Sequence, residues 1–269
     1  MSSPELAPEV ITFYTHVFDE GSRLTSSADG RLELLRTQEL LRRFLPKAPA
    51  RVLDVGGGTG VHARWLVEDG YEVDLVDPVA RHVEQARHVC AASIGDARSL
   101  ASEDASYDVV TLLGPLYHLP DRDERLQALR EVARVARPGG LVAAAAINRY
   151  ASVFEHTALA HLHTERLRRS IADILATATY DGRRGFTVSY FHRGEELVAE
   201  LEAAGLRDVQ VFGVEGPTWS LLKAVEQSTG APPSEELFES ALTAARLAEP
   251  YPELLAASSH LLAIGYAGE

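Results

Sequence analysis

The spacing of apolar residues changes near residue 50. Before it, Leu32, Leu34, Leu35, Leu40, Leu41 and Phe44 recur near helical spacing, and Pro46 and Pro49 close the segment. Arg51–Val55 is then a short apolar run ending in glycines, the pattern of a buried strand entering a tight turn. Residues 61–69 are amphipathic and stop at Gly70, a reasonable helix cap, and residues 71–76 alternate as a second strand. A helix over 79–88, a short strand over 91–94, an apolar strand over 107–113 and a periodic helix over 122–136 follow. Arg137-Pro-Gly-Gly140 breaks that helix ahead of a strand over 141–147.

Strand and helix thus alternate from residue 51 to 148, which predicts βαβ units forming a parallel sheet with helices on both faces. The remainder is less regular. Residues 149–185 read as polar helix with a turn at Asp181-Gly182, 194–204 as a helix closed by Gly205, and 207–214 as a strand. Residues 217–257 are helical around Pro232 and Pro233, and 260–266 is a last strand. The expected organisation is an N-terminal helical lid segment, 1–48, and an α/β domain, 49–269. Lid insertions near 149–190 and 215–257 are expected to pack over one edge of the sheet.

Composition narrows the classes of function. The chain has 269 residues, 46% hydrophobic and 24% charged, enough for one α/β domain with additions. No apolar run approaches the roughly 18 residues of a membrane span. The N-terminus lacks the basic and apolar regions of a secretory signal. With Cys90 alone, one chain forms no internal disulfide and no cysteine metal cluster, which fits a reducing cytoplasm. A net charge of −13 works against general nucleic-acid binding. The clusters Arg166, Arg168, Arg169 and Arg183-Arg184 suit a solvated helix face or a turn. The expected partner is a small molecule, neither nucleic acid nor membrane, and the chain is expected to act as a monomer or homodimer.

Asp54-Val-Gly56-Gly-Gly58-Thr-Gly60 lies between a strand and a helix. Glycine lets the backbone approach a ligand there and accept the φ values of a tight turn. The following helix points free N–H groups at whatever the turn holds. Asp77 ends the second strand 21 residues after Gly56, close to the spacing at which a carboxylate meets ribose hydroxyls. The bland alternatives are an ordinary turn for the glycines and a helix cap ahead of Pro78 for Asp77. Together the two features point to a nucleoside-containing cofactor. The dinucleotide pattern G-x-G-x-x-G/A fails from Gly56, where Val61 is last, and succeeds from Gly58, where Ala63 is last. An NAD-dependent oxidoreductase therefore stays open at this point.

Downstream residues bear on that choice. The Asp54–Gly60 turn resembles the first motif of class I S-adenosylmethionine-dependent methyltransferases, and Asp77 matches their ribose-binding acid. Gly95-Asp96-Ala97, the strand over 107–113 with Gly114-Pro-Leu-Tyr-His118, and Arg137-Pro-Gly-Gly140 resemble the family's later elements, in family order. The resemblance implies a doubly wound, mostly parallel seven-stranded Rossmann-like sheet with a reversed C-terminal strand. It also implies that S-adenosylmethionine is the cofactor. Gly56, Gly58 and Gly60, after Asp54, would line its methionine part, Asp77 beside Pro78 the ribose, Asp96 with Ala97 the adenine, and Leu113 its length.

The implied reaction is in-line displacement of the methyl group by a small-molecule acceptor, with loss of S-adenosylhomocysteine, so the protein mainly positions and desolvates. A cofactor-binding protein without transfer activity is the alternative from another class. His118, just past the fourth strand, is the first candidate base, with a packing role as its alternative, and Tyr117 shares the ambiguity. Tyr14, Arg36 and Gln38 lie in the N-terminal segment, where Arg36 could pair with the cofactor carboxylate or simply sit on the surface. His192 reads as structural. His156 and His163 could share a helix face that His161 cannot join, and no carboxylate stands at ligand spacing, so no metal is expected. Trp219, Phe238 and Tyr251 read as core.

Overall fold

A computed structural model describes residues 11–17, 20–182 and 187–268; Arg183 and Arg184 fall outside them. The helices are α1 Ala28–Arg42, α2 Val61–Glu68, α3 Ala80–Ala86, α4 Arg122–Val135, α5 Ala151–Ala158, α6 Glu165–Thr177, α7 Gly194–Ala203, α8 Trp219–Thr229 and α9 Glu235–Ala248. The strands are β1 Arg51–Val55, β2 Glu72–Asp77, β3 Ala91–Ile94, β4 Tyr107–Leu112, β5 Ala136–Asn148, β6 Thr179–Asp181, β7 Val188–His192, β8 Arg207–Gly213 and β9 His260–Tyr266.

Seven strands form the main sheet in the order β3-β2-β1-β4-β5-β9-β8. The first five are mutually parallel, and β9 runs antiparallel between β5 and β8. This is the mixed α/β sheet with a reversed final strand that the resemblance implied. Strands covered on both faces need continuous apolar runs. Accordingly, Val52, Leu53, Val109, Val110, Leu112 and Val142 are buried. Side chains on one face join α4 and α7 in a core around Leu129, Val132, Leu197 and Leu201. The other face packs Trp65 and Leu66 of α2 with Leu40 and Leu41 of α1.

Two departures from the expected pattern matter. A hairpin, β6–β7, attaches to the end of β5 through parallel pairing of Ile147 with Phe191 and Asn148 with His192. The helix expected over 149–185 ends at Thr177 instead; Tyr180, Val188, Tyr190 and Phe191 are strand formers, and Ser189 and His192 are buried through hydrogen bonds to Thr187 O and to Glu200. Strand β5 also starts earlier than expected, at Ala136, which pairs with Tyr107 ahead of a register shift.

The less regular segments share one core. Ala28 and Leu32 of α1, Ala151 of α5, Trp219 and Leu222 of α8, and Phe238, Ala241 and Leu242 of α9 pack together. Helix α1 begins there because Ser27 caps it, accepting a hydrogen bond from Gly30 N. Tyr251 does not join this core: it is 59% exposed, just past the end of α9. His156 and His161 do meet, with Nδ1 atoms 3.2 Å apart, because the turn at Ala160 (φ 55°) folds the chain back. His163 turns instead to Ala160 O. No helix among the described residues is long and apolar enough to cross a membrane.

Arg125 of α4 ties several pieces together. It is 1% exposed, and its Nε and Nη2 bond both oxygens of Glu200 on α7 at 2.9 and 2.7 Å. Its Nη1 holds Leu119 O and Pro120 O, and its guanidinium lies 3.6 Å from the Tyr190 ring centroid. Removing one member of a buried pair strands the other charge, which typically costs about 3–5 kcal/mol. Arg125→Leu is therefore expected to lower stability by about 3 kcal/mol in thermal or denaturant unfolding. Arg125→Leu combined with Glu200→Leu should recover part of that loss. A single-variant loss below about 1 kcal/mol would show that the pair holds little.

Candidate active site

The carboxyl ends of the parallel strands open into one cleft of about 980 Å³, a volume that includes open solvent. Ligands of open α/β sheets bind at this end. Its floor is the glycine turn after β1. Gly56 has a φ of +68°, and a Cβ there would collide with the Pro115 ring. At Gly57 a Cβ would come within 2.5 Å of Asp54 Oδ2. The turn thus brings bare backbone to the cleft and keeps the space beside Asp54 clear.

Two acids flank that turn with different environments. Asp77, 5% exposed at the end of β2, accepts hydrogen bonds from Gly58 N and Val79 N, both at 2.9 Å, and its Oδ1 lies 3.1 Å from His82 Nδ1. Asp54 is 1% exposed. Its Oδ1 accepts from Thr111 Oγ1 at 2.8 Å, whereas Oδ2 has no hydrogen-bond partner. Burial pushes the Asp54 carboxyl up to about 6, against the pull of the Thr111 hydrogen bond. A buried carboxylate oxygen without a donor, facing a cleft, is a ready partner for a ligand cation.

Across the cleft, Asp96 is held by Arg98, which donates from its backbone N and Nε to Oδ1 and from Nη2 to Oδ2. Pro78, Ala97 and Leu113 complete the apolar lining. The N-terminal segment supplies the far wall. Tyr14 OH lies 3.0 Å from His118 Nε2, and its ring meets the edge of His82 at a centroid distance of 5.7 Å. His118 Nδ1 lies 3.0 Å from Thr187 Oγ1, so both of its nitrogens are engaged. Burial drives His118 down to about 3, so it is neutral near pH 7 and a weak proton acceptor. Tyr117 packs against His118 at 4.5 Å between ring centroids, and burial pushes its hydroxyl well above the ordinary tyrosine range.

Eleven of the thirteen expected site residues line this cleft: Tyr14, Asp54, Gly56, Gly58, Asp77, Pro78, Asp96, Ala97, Leu113, Tyr117 and His118. Gly60 does not; its φ of +85° turns the chain into α2 below the cleft. Arg36 does not reach it either. It is 2% exposed and committed to Glu39, Glu249 and Val214 O. The cation in the cleft is Arg23, which the sequence reading missed. It bonds Glu20 at 3.0 Å and grips Glu33 through both Nη atoms, at 2.8 and 3.1 Å. Burial opposes its charge, but Glu33 and Glu20 hold its pKa well above the usual arginine value. Glu20, His62 and His82 were also missed. Only a histidine in the first turn after a glycine loop could have drawn attention to His62.

Similarity to known proteins agrees with this geometry. A family model described as a methyltransferase domain matches residues 30–211. The ubiquinone biosynthesis O-methyltransferase of Xanthomonas axonopodis pv. citri is 31% identical over 189 residues, covering 67% of this chain and 72% of that protein. An uncharacterized methyltransferase of Mycobacterium tuberculosis is 39% identical over 105 residues, covering 38% of this chain. That match spans only 42% of the mycobacterial protein's length. Among solved structures, a possible histamine N-methyltransferase from Thermotoga maritima has a TM-score of 0.61 at 18% identity, covering 96% of this chain and 98% of that one. At that identity the likeness concerns the fold.

The raised pKa of Asp54 has a signed consequence. The folded state prefers its protonated form, so its contribution to stability is full below the ordinary aspartate value of 3.8 and is lost as pH rises through about 6. Asp54→Asn mimics the protonated acid. In ligand-free protein, the stability of Asp54→Asn relative to the parent should rise by about 2 kcal/mol between pH 4 and pH 7, at about 1.4 kcal/mol per pKa unit. A flat difference across that window would place a donor on Oδ2.

Proposed function

The chain belongs to the class I S-adenosylmethionine-dependent methyltransferases, and on that premise we propose that it transfers the cofactor's methyl group to a small-molecule acceptor. The observation that carries this reading is the pairing, across one glycine turn, of an unpartnered buried carboxylate oxygen on Asp54 with the guanidinium of Arg23. Those two charges complement the ammonium and carboxylate of an amino-acid tail. Asp77 stands where a ribose would follow. With family membership established, the NAD-linked alternative falls away.

In this reading the residues divide the cofactor among them. Asp54 Oδ2 takes the ammonium, and Arg23, which has two further N–H donors beyond those given to Glu20 and Glu33, takes the carboxylate. Backbone of Gly56 and Gly58 passes beneath the chain. Asp77 Oδ1 is filled by Val79 N and His82 Nδ1, whereas Oδ2, bonded to Gly58 N alone, keeps a lone pair for a ribose hydroxyl. Asp96 and Ala97 face the adenine, and Leu113 lies along its length. When bound there, S-adenosylmethionine supplies a methyl group on a cationic sulfur, open to in-line displacement by a nucleophile. The protein's own task is then to align the acceptor and exclude water. His118 and Tyr117 form the inner wall as positioning residues. An imidazole with a pKa near 3, bonded at both nitrogens, holds a proton too weakly to serve as the base.

Calorimetric titration with S-adenosylhomocysteine tests the assignment. Asp77→Asn is expected to weaken binding by roughly ten- to a hundredfold, as charge-assisted bonds of about 1.5–3 kcal/mol are lost. Arg23→Gln should weaken it by a similar factor, while Arg36→Gln should leave it within about twofold. Equal affinity for the parent and Asp77→Asn would contradict the placement of the ribose.

A further inference from the structure

Arg23 reaches the cleft from a cluster of charges that extends to the last strand of the sheet. Glu33 Oε2 on α1 accepts from Arg23 Nη1 at 2.8 Å and lies 3.7 Å from Nδ1 of His260, the first residue of β9. The same Nδ1 donates at 2.5 Å to Oε1 of Glu215, just past the end of β8. Glu215 is 1% exposed, and its Oε2 accepts from His260 N at 2.9 Å and from Ser258 Oγ at 2.8 Å. The backbone between β8 and β9 therefore fixes Glu215, and Glu215 fixes the imidazole of His260. None of Glu33, Glu215 or His260 lines the cleft.

Charge balance gives this cluster its meaning. Ligand atoms of Glu33, Glu215 and His260 lie within 4.8 Å of one another. Two carboxylates this close repel unless a cation stands beside both, and His260 is that cation. Burial opposes charge on its ring, but Glu33 and Glu215 raise its pKa to about 9 against the pull of Arg23. Burial likewise opposes charge on Glu33, yet Arg23 and then His260 hold its pKa down at about 2. His62, at the start of α2, also faces Glu33, but burial lowers it to about 4 and keeps it neutral near pH 7. Arg23 and His260 are thus the cations set against Glu20, Glu33 and Glu215. Without the charge on His260, Arg23 alone would face all of those carboxylates and have little attraction left for an anionic ligand.

We propose that His260 is a positioning residue for the carboxylate of the cofactor: as the cation between Glu33 and Glu215, it leaves the Arg23 guanidinium in place and able to take that carboxylate. This rests on the reading of the cleft as the cofactor site, with Arg23 at the amino-acid tail. Through Glu33, the strand that closes the sheet acts on a ligand that it does not touch.

Three ligands separate this role from a general loosening of the cleft. They are S-adenosylhomocysteine, its decarboxylated form aminopropyl-thioadenosine, and its deaminated form carboxypropyl-thioadenosine. At pH 7, His260→Gln is expected to bind S-adenosylhomocysteine and the carboxypropyl compound about tenfold more weakly than the parent does, an ordinary size for coupling between sites. The aminopropyl compound offers Arg23 no carboxylate and should keep its affinity within about twofold. In the parent protein, affinity for the carboxypropyl compound, which has no amine to titrate, should fall by a similar factor as pH rises through about 9. His260→Gln should not show that fall. Equal losses for all three ligands would leave His260 a packing role and overturn the proposal. Unchanged S-adenosylhomocysteine affinity in His260→Gln would do the same. If that variant does not fold, the parent's profile decides: a flat affinity for the carboxypropyl compound from pH 8 to pH 10 overturns the proposal. Failure of the parent to bind S-adenosylhomocysteine overturns the cofactor reading itself, whereas the other outcomes leave that reading standing.

Discussion

The cleft depends on one carboxylate. Asp77 closes β2, draws in the Gly58 N–H from the β1 turn and the Val79 N–H from the start of α3, and holds His82, whose ring supports Tyr14 of the N-terminal segment. Two strand ends, a helix start and the far wall are thereby referred to a single buried charge. Charge-assisted bonds of this kind are short and directional, so the glycine turn keeps its shape before any ligand arrives. Asp77 Oδ2 is also the oxygen proposed to meet the ribose, so in that reading turn geometry and cofactor binding share one carboxylate.

Around that anchor the fold sorts its buried charges into satisfied and unsatisfied. Arg125 with Glu200, Arg36 with Glu39 and Glu249, and Arg23 with Glu20 and Glu33 are paired in the dry interior or at its edge. Asp54 Oδ2 and His192 Nδ1 are the buried side-chain atoms left without partners among the described residues. His192 ends β7, outside the cleft lining, and burial lowers its pKa despite Glu200. Asp54 lies at the floor of the cleft, the one place where an incoming cation can complete it. Catalysis by positioning suits such a site, since the wall residues His118 and Tyr117 are held in their uncharged forms by burial.

Much of this was legible in the sequence because local rules and global fold agree from β1 to β5. Asp54, the glycines, Asp77, Asp96 and His118 each sit at a strand end, and strand ends converge in a parallel sheet. The misses have physical reasons. Arg36 and Arg23 are thirteen positions apart in one polar, helical stretch, and only the packing of α1 against Val214 and Glu249 shows that Arg36 points away. The β6–β7 hairpin mixes the strand formers Val188, Tyr190 and Phe191 with Ser189 and His192, which side-chain hydrogen bonds bury, and its strands are only three and five residues long.

The most direct test is thermal unfolding with saturating S-adenosylhomocysteine and, separately, with NAD. A ligand at a hundred times its dissociation constant stabilises the native state by about 2.7 kcal/mol, roughly 5–10 °C for a chain of this size. The expected result is a rise of that order with S-adenosylhomocysteine and none with NAD. A rise with NAD, or no response to S-adenosylhomocysteine at any concentration, would contradict the assignment of the cleft.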